Sequence, residues 1–375
     1  MSDDLPPPDQ VPGAPHPRET LRLFGQDAAE AAFLEAYTSD RLHHGWLLTG
    51  PSGVGKATLA WRIARFLLAT PPADDGGMFG APPPPTSLDI DPDHPVARRI
   101  LAGADPGLAA ITRTVNEKTK RMRDEIVVDD IRKLHRFFGL SATDGGRRVV
   151  IVDAADEMNP SAANALLKML EEPPARTTLL LISHQPSGLL PTIRSRCRTL
   201  RLGPLGTEDM QAALAQTGVE LPASPEQMQH LTALASGSVG ASLRLINLDG
   251  LRVYSELVTI LSSLPRLDRV RALALAEAAA QRGASERFEL LLTLIDIALA
   301  RLARTGAMAS PPTPEAASGE AEVLARLSSD ADRARAWAGI AATITARARH
   351  GQAVNLDPAA LVLDTVFKIQ KTAAG

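Results

Sequence analysis

Between Gly146 and Leu202 the chain reads GRRVVIVDAADEMNPSAANALLKMLEEPPARTTLLLISHQPSGLLPTIRSRCRTLRL. Few folds accommodate that order. Val149–Val152 is a short apolar, β-branched run, the pattern of a strand buried on both faces. It ends in Asp153, a carboxylate at the carboxyl end of a strand, where open α/β sheets place ligand chemistry. Ala165, Leu166, Met169 and Leu170 then recur at helical spacing and predict a helix over Pro160–Leu170. Pro173 and Pro174 stop it, because proline lacks the amide donor and disfavours helix in the residue before it. Leu179–Ile182 predicts a second buried strand, and Ser195-Arg196-Cys197 stands at the end of a short helix.

A second segment fixes the chemistry such a sheet could carry. His44–Thr49 predicts a strand that runs into Gly50-Pro51-Ser52-Gly53-Val54-Gly55-Lys56-Ala57. Gly50, Gly53 and Gly55 allow backbone N–H groups to converge on phosphates, and Lys56 would reach the β/γ oxygens. The helix expected over Ala57–Leu68 aims its positive end at the same place. The motif requires Ser or Thr after the lysine to hold Mg²⁺, and this chain has Ala57. Thr58 comes one position late, about 100° around the helix. Phosphate could bind without a direct Mg²⁺ ligand. The other reading is a vestigial loop kept for its fold.

The words NALLKMLEEPP (Asn164–Pro174) and TIRSRC (Thr192–Cys197) follow from neither composition nor fold class. With them the chain resembles the clamp-loader subunits of bacterial DNA polymerase III, within the AAA+ family. The resemblance covers Phe24 to Asn247 well and the C-terminal third weakly. It implies an α/β P-loop domain with a parallel sheet flanked by helices, a small helical lid and an all-α collar. It also implies that Arg196 is an arginine finger offered across an interface to a neighbour's ATP. In active members an Asp-Glu pair follows the strand, the Asp organising Mg²⁺ and the Glu polarising water. Here Asp153 is kept and the Glu is Ala154. The resemblance puts a γ-phosphate sensor near Ser183 or His184 and the adenine near Phe24-Gly25-Gln26. It puts a sensing arginine where this chain has Gly240. Ala57, Ala154 and Gly240 each remove a group needed for hydrolysis in cis, while Arg196, acting in trans, remains.

The implied role is a largely non-hydrolysing subunit that helps load a sliding clamp on primed DNA. Its implied partners are gamma/tau motor subunits, a delta subunit and the clamp, with primer–template DNA reached through the complex. No cofactor is required, although ATP or ADP could bind weakly without hydrolysis. Two other functions compete: an active motor ATPase of the same family, and a P-loop NTPase outside replication. Ala154 and Gly240 argue against the first, and the two quoted words against the second.

Composition bounds the rest. Aromatic residues are 3% of the chain, and alanine and leucine dominate, so helix should exceed strand. A net charge of −3 gives no global basic field. A single cysteine, Cys197, makes neither an internal disulfide nor a cysteine zinc cage; that fits a reducing cytoplasm, and no zinc is expected. No apolar run is long enough to span a membrane. Residues 1–18 are acidic and proline-rich and are expected as a disordered tail. The P-loop domain is expected over 19–203, with a proline-rich insertion at 71–95. The lid is expected over 204–248 and the collar over 249–375. Asp129 is expected to cap a helix over Asp129–Phe138. Arg113, Lys118, Lys120, Arg121 and Arg123 form a basic cluster, either a solvated loop face or a contact to phosphates or an acidic partner. Phe288, Leu291, Leu292, Ile295, Leu299 and Leu302 trace a helix apolar nearly all round. Thr305–Gly319 is expected as a linker, and Asp357-Pro358 as the start of a last helix.

Overall fold

The computed structural model describes residue 8 and residues 10–39, 41–70, 83–139, 146–281, 285–354 and 356–375. Of the expected tail, residues 1–7 and 9 lie outside the described residues, as do 71–82 of the proline-rich insertion. The chain divides into two compact units, Met1–Val219 with Ser238–Gly240, and Glu220–Gly237 with Ala241–Gly375.

The first unit opens with α1 (Asp27–Thr38), β1 (Gly45–Thr49), α2 (Lys56–Ala69), α3 (Pro95–Leu101), β2 (Leu108–Ile111) and α4 (Val128–Gly139). There follow β3 (Arg148–Val152), α5 (Pro160–Glu171), β4 (Thr177–Ser183), α6 (Pro191–Arg194), β5 (Arg198–Arg201) and α7 (Thr207–Ala215). The strands form one parallel sheet in the order β2-β3-β4-β1-β5. β1 and β4 are buried along their whole length, which is why they read as continuous apolar runs. β5 lies at the edge, and its Arg-Thr-Leu-Arg buries only Leu200. Thr49 pairs with Ser183, and Val152 with Leu181. The carboxyl ends of β1 and β4 therefore lie level, that of β3 falls short of them at the height of Leu181, and the segments leaving all three share one edge.

α5 starts as its sequence dictates. The Asn159 side chain accepts from the Ala162 amide at 2.9 Å, and Pro160 takes the first helical position. Its buried face, with Ala162, Leu166, Met169 and Leu170, packs into the core formed by Val150, Val152, Leu179 and Leu181 with Ile131 and Leu134 of α4. Each such leucine contributes about 1.5–3 kcal/mol on burial. Asp129 does not cap α4, which begins one residue earlier, at Val128. Asp129 is exposed and pairs with Arg132 at 2.9 Å, whereas buried Asp130 accepts from the Val127 amide and the Thr114 hydroxyl. Residues 10–18 also depart from expectation. His16 is buried with its ring edge on Trp61 at 5.7 Å, and the Arg18 carbonyl accepts from Arg65. Tail-like composition here covers a segment held by aromatic and backbone contacts.

The second unit is helical among its described residues: α8 (Pro225–Leu234), most of α9 (Val239–Asn247), α10 (Gly250–Ser262) and α11 (Arg269–Ala279), then α12 (Ser285–Met308), α13 (Glu320–Leu327), α14 (Ala331–Ala353) and α15 (Pro358–Ala374). α12 buries Phe288, Leu291, Ile295, Leu299 and Leu302 together with Leu290 and Leu294, and packs along α14. Asp357 caps α15 by accepting from the Ala360 amide at 3.0 Å. The segment read as a linker from Thr305 is helical to Met308, and Ala316 and Ala317 are buried. It is pinned by Glu320, which is 0% exposed. Glu320 accepts from Arg301 through both carboxylate oxygens at 2.7 and 2.8 Å, from the Ala316 amide at 2.7 Å and from the Tyr254 hydroxyl at 2.5 Å. A carboxylate with four donors is stable in a core, and composition alone does not reveal that.

Candidate functional site

The loop between β1 and α2 takes the conformation its glycines permit: Gly50, Gly53 and Gly55 all have positive φ, at 144°, 75° and 99°. Gly53 is also a point of contact. A Cβ there would lie 2.3 Å from Ser238 Oγ and 2.9 Å from the Gly240 nitrogen, and the Val239 amide donates to the Gly53 carbonyl at 2.9 Å. Gly240, expected in place of a sensing arginine, thus lies against the phosphate-binding loop, where its own added Cβ would be 3.4 Å from Gly53 Cα. Gln26 is buried and ties the loop down, donating to the Val54 and Gly203 carbonyls at 3.2 and 2.8 Å.

Lys56 is 3% exposed. Its ammonium donates to the carbonyls of Gly50 at 2.8 Å and Pro51 at 2.5 Å. Burial pulls its pKa down to about 8, against the opposing pull of Asp153 and Asp156. Ala57 offers no hydroxyl beside it, and Thr58 lies half-buried one step round α2. Lys56 carries the charge a phosphate would call for, and its ammonium is held by the two loop carbonyls. The residues here do not supply the hydroxyl a magnesium ion would need.

Asp153 follows β3 and acts on the Lys56 charge. Ala154 beside it is buried and carries no proton acceptor for an attacking water. Glu157, three positions on, does not stand in for the missing carboxylate: it lies 2.8 Å from Arg113 in an ion pair. Burial raises the Glu157 pKa, with Arg113 opposing. Sequence reasoning missed Asp156. Its carboxylate accepts from the His184 and Gln185 amides at 3.0 and 2.9 Å and so fixes the segment leaving β4. Ser183 is fully buried, and its hydroxyl has no partner among the described residues. Burial lowers the pKa of His184, and the nearby Lys56 lowers it further, with Asp156 opposing.

Arg196 stands apart from these groups, just after α6. Its side chain is 37% exposed and lies 3.0 Å from a Glu171 carboxylate oxygen. It also donates to the Thr192 carbonyl at 3.0 Å. Burial pushes the Cys197 thiol up to about 12, so it is a packed group and not a nucleophile. The basic cluster forms a small hairpin, with a Val115–Met122 bridge and a turn in which the Asn116 side chain accepts from the Lys118 amide at 3.0 Å. Lys118, Lys120 and Arg121 are exposed on it. Among the described residues no group of three or more His, Cys, Asp or Glu is placed to hold a metal ion, and no helix is long and apolar enough to cross a membrane.

A protein-family model described as DNA polymerase III, delta subunit, matches residues 25–206. The DNA polymerase III subunit delta' of Pseudomonas aeruginosa is 39% identical over 203 residues, covering 54% of this chain and 55% of the relative. That of Escherichia coli is 30% identical over 270 residues, covering 71% of this chain and 72% of the relative. Among solved structures, a DNA polymerase III gamma subunit-related protein from Thermotoga maritima aligns with a TM-score of 0.39 at 19% identity, over 71% of this chain and 84% of that one.

Proposed function

The chain belongs to the family of DNA polymerase III delta-prime subunits, and from that premise we propose that it is a non-hydrolysing clamp-loader subunit that completes a neighbour's ATP site with Arg196. The observation that carries this is an asymmetry. The groups needed to hydrolyse ATP in cis are replaced by Ala57 and Ala154, and Glu157 is committed to Arg113. The group able to act in trans stands outside that site with its side chain 37% exposed. A guanidinium is planar and permanently charged, suited to a phosphate whose charge grows during transfer.

On this reading the partners are gamma/tau-type motor subunits, a delta subunit and the sliding clamp, with primed DNA engaged through the complex in the cytoplasm. ATP or ADP held by the degenerate loop would not turn over, and no zinc is needed. The experiment assembles the complex with wild-type or Arg196→Ala chain and measures ATPase and clamp loading on primed DNA. The finger is worth about 10³–10⁵ in rate at its own site. The other motor sites keep their own fingers, so total turnover should fall by a fraction, with assembly intact. Arg196→Lys should be nearly as slow, because an ammonium lacks the planar fork. Equal ATPase and equal loading would remove the trans-acting role.

A further inference from the structure

We infer that Glu171 is a positioning residue for Arg196: the end of α5 and the Ser195-Arg196-Cys197 turn together form one seat that orients the guanidinium. The inference rests on the trans-acting reading above and adds the residue that makes it work.

Two contacts hold the guanidinium. One terminal nitrogen lies 3.0 Å from Glu171 Oε1, and the other donates to the Thr192 carbonyl at 3.0 Å. A guanidinium has five N–H donors in a fixed plane. The hydrogen bond to Thr192 and the carboxylate of Glu171 beside the other terminal nitrogen together bias that plane, and donors remain for a phosphate.

The backbone is arranged to allow this. Gly45 opens β1 beneath the seat, and a Cβ there would lie 2.9 Å from Leu170 Cδ2 and 3.1 Å from the Arg196 carbonyl. Without a side chain at Gly45, the last turn of α5 and the Arg196 backbone close over the strand. A ring nitrogen of His44 lies 2.9 Å from the Leu170 carbonyl, and Pro173 ends the helix just past Glu171.

Two alternatives for Glu171 fail on physical grounds. A carboxylate in the last turn of a helix meets the negative end of the macrodipole, so it is not there to stabilise α5. The two side chains are 37% and 44% exposed, and an ion pair so solvated contributes little to stability. What remains is orientation, in which small misplacements of a catalytic group have large effects on rate.

The test uses the assembled complex in which the other motor sites have lost their fingers, so that ATP turnover reports the site this chain completes. Glu171→Ala should lower kcat there between about tenfold and about a hundredfold, with KM for ATP and assembly unchanged. Glu171→Asp should recover part of the rate, because it keeps a carboxylate on the guanidinium's side of the seat. Adding Glu171→Ala to Arg196→Ala should cost nothing further, since the seat then holds no finger. A slow Arg196→Ala complex beside a wild-type-like Glu171→Ala complex would overturn the positioning role and leave the finger standing. An additive loss in the double variant, or Glu171→Asp as slow as Glu171→Ala, would also overturn it. A wild-type rate for Arg196→Ala would remove the finger itself, and the inference with it.

Discussion

Lys56 shows how much a single residue is held against its own preference. Its pKa falls from 10.5 to about 8, chiefly through burial. Below about pH 8 the ammonium is charged in the folded and unfolded chains alike, and the fold bears the cost of burying it. Between about pH 8 and 10.5 the unfolded chain keeps the proton that the folded chain releases, so stability should rise with pH across that window. The gain is on the order of 3 kcal/mol. Denaturant unfolding of wild-type chain and Lys56→Met at pH 8 and 10 isolates this residue, since other titrating groups cancel in the difference. The wild type should gain stability relative to the variant, and parallel pH profiles would mean Lys56 is not desolvated. Ala57 and Ala154 were legible in the sequence because a missing side chain at a fixed motif position is visible without a structure. Asp156 was not legible: it acts by holding the His184 and Gln185 amides, a pairing across 28 residues that no local pattern announces.

At the scale of elements, legibility followed burial. β1, β4 and α5 were readable because both faces of a strand, or one face of a helix, must be apolar to be buried. α5 carries the further marks of Asn159 at its start and Pro173-Pro174 beyond its end. The segment before α13 was misread for the opposite reason. It is held by one buried carboxylate, Glu320, and not by an apolar stripe. That gives a prediction for the second unit. Glu320→Ala leaves the Arg301 guanidinium, 13% exposed, without its carboxylate and with the Pro314 carbonyl as an acceptor, and breaking such a buried pair costs about 3–5 kcal/mol. Trp337, buried in the second unit with its indole N–H on the Leu327 carbonyl at 3.0 Å, can report this. In a chain carrying Trp46→Phe and Trp61→Phe, the urea midpoint followed by Trp337 fluorescence should drop when Glu320 is removed. An unchanged midpoint would show that water satisfies Arg301 equally well.

On the proposed reading the labour of catalysis is divided between chains, and the isolated chain should reflect that division. Among the described residues no group in its own site replaces the carboxylate absent at Ala154 or the hydroxyl absent at Ala57, and in the proposed role Arg196 serves a site on another subunit. Purified alone, it should not turn over ATP, whereas enzymes typically work at a median of roughly 10 s⁻¹. Turnover of about 0.1 s⁻¹ or more that follows this chain through purification would place a working base in this site and return the motor-ATPase reading. Phosphate binding is a separate matter, because Lys56 and the loop amides remain. Any labelled ATP retained on the chain should persist without ADP appearing, and Lys56→Met should abolish the retention. Structural zinc needs four nitrogen or sulphur ligands. With Cys197 the single cysteine of the sequence, elemental analysis of tag-free protein should find no stoichiometric zinc. The order of dependence follows from these points. Removing Arg196 should leave whatever this chain binds unchanged and slow the neighbour, while removing Lys56 should leave the neighbour's rate unchanged. A complex in which Lys56→Met slowed ATP hydrolysis as much as Arg196→Ala would mean that this chain's own site takes part in the cycle, and the division of labour would fail.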